Sequence, residues 1–373
     1  MKSRASKPSN ILDRRRLVLS ACVIVCLYVL SINKEITKRS FETNLNLSEG
    51  TQTNKWMDTS GVSLFSVQGD PTKCKDVIYS ADTRDPYSDV EWLSKGIESM
   101  EYITHASSVL RESTCYAFVK ISSPFLDSSG RKLHPVWGRI PATALVMNVF
   151  PNAEIFLYMD SDALLPFSSN TPTMMYDELA FDGYGDNPSM THLKPGLIVN
   201  KVKTGWMCSQ CENYELEHGC FNSGTLLWNR TKAEPILREW WESRNTKDNF
   251  VHPETGEGFH GWNGDEEFRL SDKMGEQNRL MYVYGSNPLM QELIWPVPRQ
   301  RSEGFNSLSC PNAVDKGHKP CLQNDASNQA EFDPSNSDKF CFVSHFCNHK
   351  DMVVEVADKI MTYKESPNST EPL

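Results

Sequence analysis

Apolar and polar positions along this chain switch repeatedly between a strand-like and a helical period. Asp76-Val77-Ile78-Tyr79-Ser80-Ala81 is a short apolar run of strand length, Val90, Leu93, Ile97, Met100, Ile103 and Leu110 recur at helical spacing, and Cys115 to Ile121 is a second apolar run. A second unit repeats the order, with a helix expected from about Trp137 to Val149, a break at Pro151-Asn152, and a strand over Glu154-Ile155-Phe156-Leu157-Tyr158-Met159. Such alternation predicts an α/β fold in which a single Rossmann-like, mostly parallel sheet is flanked by helices. Further on, Asn222-Ser223-Gly224 reads as a glycine-bearing turn that opens a strand at Thr225-Leu226-Leu227-Trp228. Thr231-x-x-Glu234 has the form of a capping box at the start of a helix carrying Ile236, Leu237 and Trp240. Residues 296–340 form a long irregular insertion, read as an ordered rim closed into a small loop by Cys310 and Cys321, and residues 351–363 carry the stripe of a last short helix.

The N-terminus departs from this pattern. Arg14-Arg15-Arg16 precedes an uncharged run from Leu17 to Ile32, bounded by Lys34 and Glu35. With its flanks this run is just long enough for a bilayer, and the basic residues before it keep the tail cytosolic. The expected organisation is a tail at 1–16, a signal anchor at 17–33, a polar stem at 34–72, a lumenal domain at 73–363 and a disordered end at 364–373. A cleaved secretory signal is the competing reading, and both deliver the remainder to the secretory lumen. A short span suits the thin membranes of the early secretory pathway, so a single-pass type II protein of the Golgi is expected.

Nine cysteines follow the apolar run, and sequons occur at Asn46, Asn229 and Asn368, the one at Asn229 expected to carry a glycan on an exposed edge. Cys208-x-x-Cys211 with His218 and Cys220 admits a zinc reading, whereas an oxidising lumen favours disulfides. The net charge of -10 conceals an asymmetry, because residues 1–16 hold six Lys/Arg and one Asp and leave the body near -15. An acidic body excludes nucleic acid as the partner, and any phosphate-bearing ligand must be held by local cations or a metal.

The candidate chemistry begins where the second unit's strand ends. Asp160 and Asp162 are spaced by one residue, so both carboxylates can face one divalent cation, and ligands of open α/β sheets bind at this carboxyl edge. A diphosphate-linked substrate loses its leaving group more easily when a metal absorbs the developing charge.

Four blocks in order carry a resemblance to glycosyltransferase family 34, whose members have a GT-A fold and include xylosyl-, galactosyl- and mannosyltransferases. The helix, break, strand and D-x-D of residues 134–165 resemble the family's first block, and Phe221-Asn222-Ser223-Gly224-Thr225-Leu226-Leu227 is similar to its L-N-x-G-S-F-L segment. Glu276-Gln277-Asn278-Arg279-Leu280-Met281-Tyr282-Val283-Tyr284 resembles its D-D-Q-x-A-L-x-Y block, and His345-Phe346-Cys347-Asn348-His349-Lys350 its H-F-x-G-C-K. The coverage runs from about residue 74 to residue 352.

The resemblance implies a retaining transfer of a hexose or pentose from a nucleotide sugar to a glycan or glycoprotein hydroxyl, giving an α-linked product. It implies Mn2+ held by Asp160, Asp162 and His345, a mixed N/O set that suits manganese. Asp160, Ser161, Gly224 and Lys350 would meet the nucleotide sugar, Lys350 at the departing β-phosphate. Gln277 would lie near the anomeric carbon, Asn222 would contact the transferred sugar, and Glu276 would orient hydroxyls. Gly275 stands where the family carries a further aspartate, which leaves acceptor and donor choice open. UDP-galactose or UDP-xylose is the leading donor. GDP-mannose, another GT-A family, self- or hetero-association, and a catalytically silent glycan-binding scaffold remain as alternatives.

Overall fold

The computed structural model describes residues 57–86, 90–107, 110–122, 125–128, 130, 133–165, 170–183, 194–202, 220–245, 275–297, 307–308, 344–345 and 350–364. The expected tail and anchor lie outside these residues, as do residues 365–373 of the expected C-terminal end, the sequons Asn46 and Asn368 and the cysteines other than Cys74, Cys115 and Cys220. The chain divides into two compact units, Met1–Thr53, which lies outside the described residues, and Asn54–Leu373. Among the described residues no helix is long and apolar enough to cross a membrane.

The second unit is built on a seven-stranded sheet in the order β1-β3-β2-β4-β7-β6-β8. The strands are β1 (Val62–Gln68), β2 (Asp76–Asp82), β3 (Thr114–Ile121), β4 (Ile155–Met159), β6 (Leu197–Val202), β7 (Cys220–Asn229) and β8 (Ile294–Val297). β3, β2 and β4 pair in parallel, as do β6 and β8, while β1 and β7 run against their neighbours. The α/β class read from the alternation is therefore observed, with most strands sharing one direction.

Burial on both faces explains the near-continuous apolar runs of the central strands. Successive residues alternate between two cores: Phe156 and Tyr158 of β4 join Val77 and Tyr79 of β2 on one side, while Ile155, Leu157 and Met159 join Ile78 on the other. The first core is closed by helices α2 (Arg139–Val149), α4 (Arg230–Glu242), α5 (Gly275–Ser286) and α6 (Pro288–Leu293). The second is closed by α1 (Glu91–Ala106), α3 (Pro172–Gly183) and α7 (Lys350–Lys364). A small three-stranded sheet places β10 (Ser344–His345) between β5 (Ala163–Leu164) and β9 (Ser307–Leu308). A disulfide between Cys74 and Cys115, with a Cα separation of 5.8 Å, ties the entry of β2 to β3.

Four expectations are corrected. The folded body begins before residue 73, because Val62–Gln68, assigned to the stem, is the edge strand β1. Its residues are mostly only partly buried, as befits an edge strand, so its pattern lacks the dense apolar run of β2–β4. Asn222-Ser223-Gly224 does not precede a strand but lies inside β7. Val199 of β6 pairs with Leu226 and the next residue, Asn200, pairs with Asn222, so Ser223, Gly224 and Thr225 bulge away from β6. The helix after β7 is capped by Asn229 rather than Thr231: the Asn229 side-chain oxygen accepts from Thr231 N at 3.0 Å and from Thr231 Oγ1 at 2.7 Å. Asn229 also donates to the Tyr176 hydroxyl at 3.3 Å and is only 8% exposed, so this sequon does not present its amide on an open edge.

Candidate active site

The site forms where β2 and β4 end and β7 bulges. Asp160 follows the last residue of β4, and its backbone N–H donates to the Gly224 carbonyl at 2.8 Å, which ties the D-x-D turn to the bulge. Its Oδ1 accepts from the Tyr158 hydroxyl at 2.9 Å and lies 3.2 Å from the Arg139 guanidinium. With 26% of its side chain exposed, Asp160 still reaches the surface of the site, whereas Asp162 is buried.

Arg139 is the first residue of α2, and its guanidinium is enclosed by residues from three separated segments. Nη1 donates to the Ser223 carbonyl at 2.6 Å and to Ser223 Oγ at 2.7 Å, and lies 3.4 Å from Glu276 Oε1. Nε donates to the Val136 carbonyl at 3.3 Å, and the group lies over the Tyr158 ring at 5.2 Å. Burial disfavours its charge, but the neighbouring acidic groups, Asp160 and Glu276 among them, outweigh this and raise its pKa.

The α5 entry completes this wall. Ser223 N donates to Gln277 Oε1 at 3.0 Å, and Ser223 Oγ lies 2.9 Å from Glu276 Oε1 and 3.2 Å from Gln277 Oε1. A bulge frees the Ser223 amide from the β6 ladder, which is why a side chain can capture it. Asn222 Oδ1 accepts from Gly224 N at 2.7 Å and holds the bulge from within. Burial pushes the Glu276 carboxyl pKa up, with Arg139 and Ser223 offsetting part of that, and among the described residues Glu276 Oε2 is buried without a hydrogen-bond partner.

A second group flanks the D-x-D turn on the β2 side. Asp82, the last residue of β2, accepts from Arg84 Nε at 2.8 Å, from Arg84 Nη2 at 2.5 Å and from Ser161 Oγ at 2.5 Å. Burial raises the Asp82 pKa, yet Arg84 and Ser161 prevail and hold it below the usual carboxylate value. Arg84 lies 4.5 Å from the centroid of the Trp92 ring, and Lys350 Nζ lies 5.3 Å from the same centroid. Lys350 is exposed at the start of α7.

Asp160, Ser161, Asp162, Asn222, Gly224, Glu276 and Gln277 are thus joined through the D-x-D turn and the hydrogen bonds around it. Residue 345 comes to the same edge by backbone pairing, its Cα partner on β5 being Ala163, the residue after Asp162; its side chain lies outside the described residues. Among the described residues no three His, Cys, Asp or Glu side chains are gathered as a metal set. The donors present nevertheless suit a hard divalent cation: two carboxylates one residue apart at a strand end, with Asp160 already oriented from the protein side. Asn222 and Gln277, expected to face a sugar, each use the amide oxygen on the bulge backbone, so both shape the wall of the site.

Sequence reasoning missed Arg139, Ser223, Asp82, Arg84 and Trp92. Asp82 carried a usable signal, because it ends an apolar strand just as Asp160 follows one. Arg139 and Ser223 lie within two of the resemblance blocks, but their residue types gave no role, since an arginine opening a helix and a serine beside a glycine are ordinary in isolation.

No protein-family model matches this sequence, and no curated protein resembles it closely enough to count as a relative. Among solved structures the chain is similar to a glycosyltransferase involved in the glycosylation of the major capsid of PBCV-1, at 15% identity and a TM-score of 0.41, covering 76% of this chain and 99% of the other. It is also similar to the bifunctional glycosyltransferase WbbM, at 12% identity and a TM-score of 0.36, covering 79% of this chain and 52% of the other.

Proposed function

We propose that this chain is a metal-dependent, retaining glycosyltransferase that moves a sugar from a nucleotide diphosphate to a glycan or glycoprotein hydroxyl. The observation that carries the reading is convergence. The four blocks that resemble family 34 are far apart in sequence, yet the D-x-D turn, the β7 bulge, the α5 entry, β10 and the start of α7 meet at one sheet edge. That edge is the carboxyl end of β2 and β4, where α/β sheets bind ligands.

In this reading Asp160 and Asp162, with His345, would hold Mn2+, which supplies positive charge to the diphosphate as it departs. Lys350 and Arg84 stand on the β2 side of the turn, where a cation can meet phosphate oxygens. Gln277, Glu276 and Asn222 set the wall against which the sugar would lie, and the bulge fixes the position of that wall. UDP-galactose and UDP-xylose remain the leading donors, with GDP-mannose as the alternative. We place the enzyme in the Golgi lumen, anchored by residues 17–33; the Cys74–Cys115 disulfide supports an oxidising compartment.

One observation favours a second reading, a glycan-binding scaffold without turnover. The amide oxygens of both Asn222 and Gln277 are engaged by backbone of the bulge. A hydrolysis screen of the full chain against UDP- and GDP-sugars with Mn2+ separates the two. Release of sugar from one donor supports the enzyme, and glycan binding without turnover of any donor supports the scaffold.

A further inference from the structure

The Asp160 carboxylate of the D-x-D pair is held by a buried cation. That cation, Arg139, is 7% exposed and opens the helix of the first resemblance block, where no role was assigned to it. Its Nη2 faces Asp160 Oδ1, while its Nη1 faces Ser223 and Glu276. A lysine would retain the charge but not this fork, since an ammonium is a point donor on a flexible stem. The Tyr158 hydroxyl donates to the same Oδ1, so two protein donors converge on one oxygen of this carboxylate.

We propose that Arg139 is a positioning residue for the divalent cation: it fixes the Asp160 carboxylate so that the metal meets an ordered ligand, and it locks that carboxylate to the Ser223 bulge and the Glu276 wall. The proposal rests on the glycosyltransferase reading only in taking Asp160 as a metal ligand. Arg139 acts through Asp160 and Ser223 and does not touch substrate. Partners that orient a metal ligand from behind typically contribute about 10–100-fold in metal affinity.

The geometry also explains why the buried charge is tolerated. Two carboxylates, two backbone carbonyls, a hydroxyl and an aromatic face surround one guanidinium. Removing Arg139 alone strands Glu276 as an uncompensated buried carboxylate, so a single truncation mixes folding with metal binding. Pairing Arg139→Met with Glu276→Gln removes that stranded charge and leaves Asp160 as the group that loses its holder.

The test is Mn2+ binding to the full chain in the presence of UDP and, in parallel, GDP, read from the paramagnetic resonance signal of unbound Mn2+. Wild type, Arg139→Lys, Glu276→Gln and the Arg139→Met/Glu276→Gln double variant are compared, each checked for its folded circular-dichroism signature. Weakening of about tenfold or more in Arg139→Lys, and in the double variant relative to Glu276→Gln, is the expected result. Unchanged Mn2+ affinity in either folded Arg139 variant overturns the positioning role while leaving the glycosyltransferase reading standing. A wild-type chain that binds no Mn2+ with either nucleotide overturns the metal-dependent reading and this role together.

Discussion

Asp160 and Asp162 were legible from sequence because both signals, the apolar strand and the spaced carboxylates, are contiguous. The residues that orient them were not, because Arg139 and Glu276 belong to helices far apart in sequence and meet only through the fold. Ser223 joins the two, so its hydroxyl gives a prediction at this scale. Ser223→Ala leaves Glu276 Oε1 and Arg139 each short of a buried partner and is expected to cost about 1–3 kcal/mol, measured by denaturant unfolding. A second prediction concerns pH. Burial raises the Glu101 carboxyl pKa, and the hydrogen bond from Ser66 offsets only part of that. The folded chain therefore keeps a proton that the unfolded chain has already released. The stability from this group is fully present below the ordinary glutamate pKa and is lost as pH rises through the raised folded value. Glu101→Gln should flatten the fall of the thermal midpoint across that window; a parallel curve for the two proteins would contradict the assignment.

At the scale of elements, the strands β2, β3 and β4 were readable because burial on both faces writes dense apolar runs into the sequence. The β7 bulge was not, because Asn, Ser and Gly signal a break in pairing without saying whether it lies before a strand or inside one. The same limit applies to Asn229, where one residue serves both a sequon and a helix cap. Its side chain caps α4 and bonds Tyr176 in the interior. Asn229→Ala is expected to lower stability by about 1–2 kcal/mol and to leave unchanged the electrophoretic mass of the chain expressed through the secretory pathway. A loss of glycan mass in that variant would show that the cap is open to the glycosylation machinery.

Across the whole molecule, the α/β alternation indicated the architecture, but the chain's pairing order required the fold itself. β2 sits between β3 and β4, and the edge strand β1 precedes all of them in sequence. The Cys74–Cys115 bridge closes the segment containing β2, α1 and the entry to β3, so it constrains the unfolded chain over 41 residues of separation. Replacing both cysteines with alanine is expected to lower stability by about 2–4 kcal/mol, read as a drop in thermal midpoint that reductant reproduces in the wild type.

Donor hydrolysis measured side by side for wild type and Asp162→Ala tests most directly whether the D-x-D edge is a working donor site. With Mn2+ and the full set of UDP- and GDP-sugars, the wild type is expected to release sugar from one donor and the folded variant to lose at least about a hundredfold of that rate, the loss expected when a charge-stabilising group is removed. Equal rates for the two proteins, or no release by the wild type from any donor, would contradict this role for the edge.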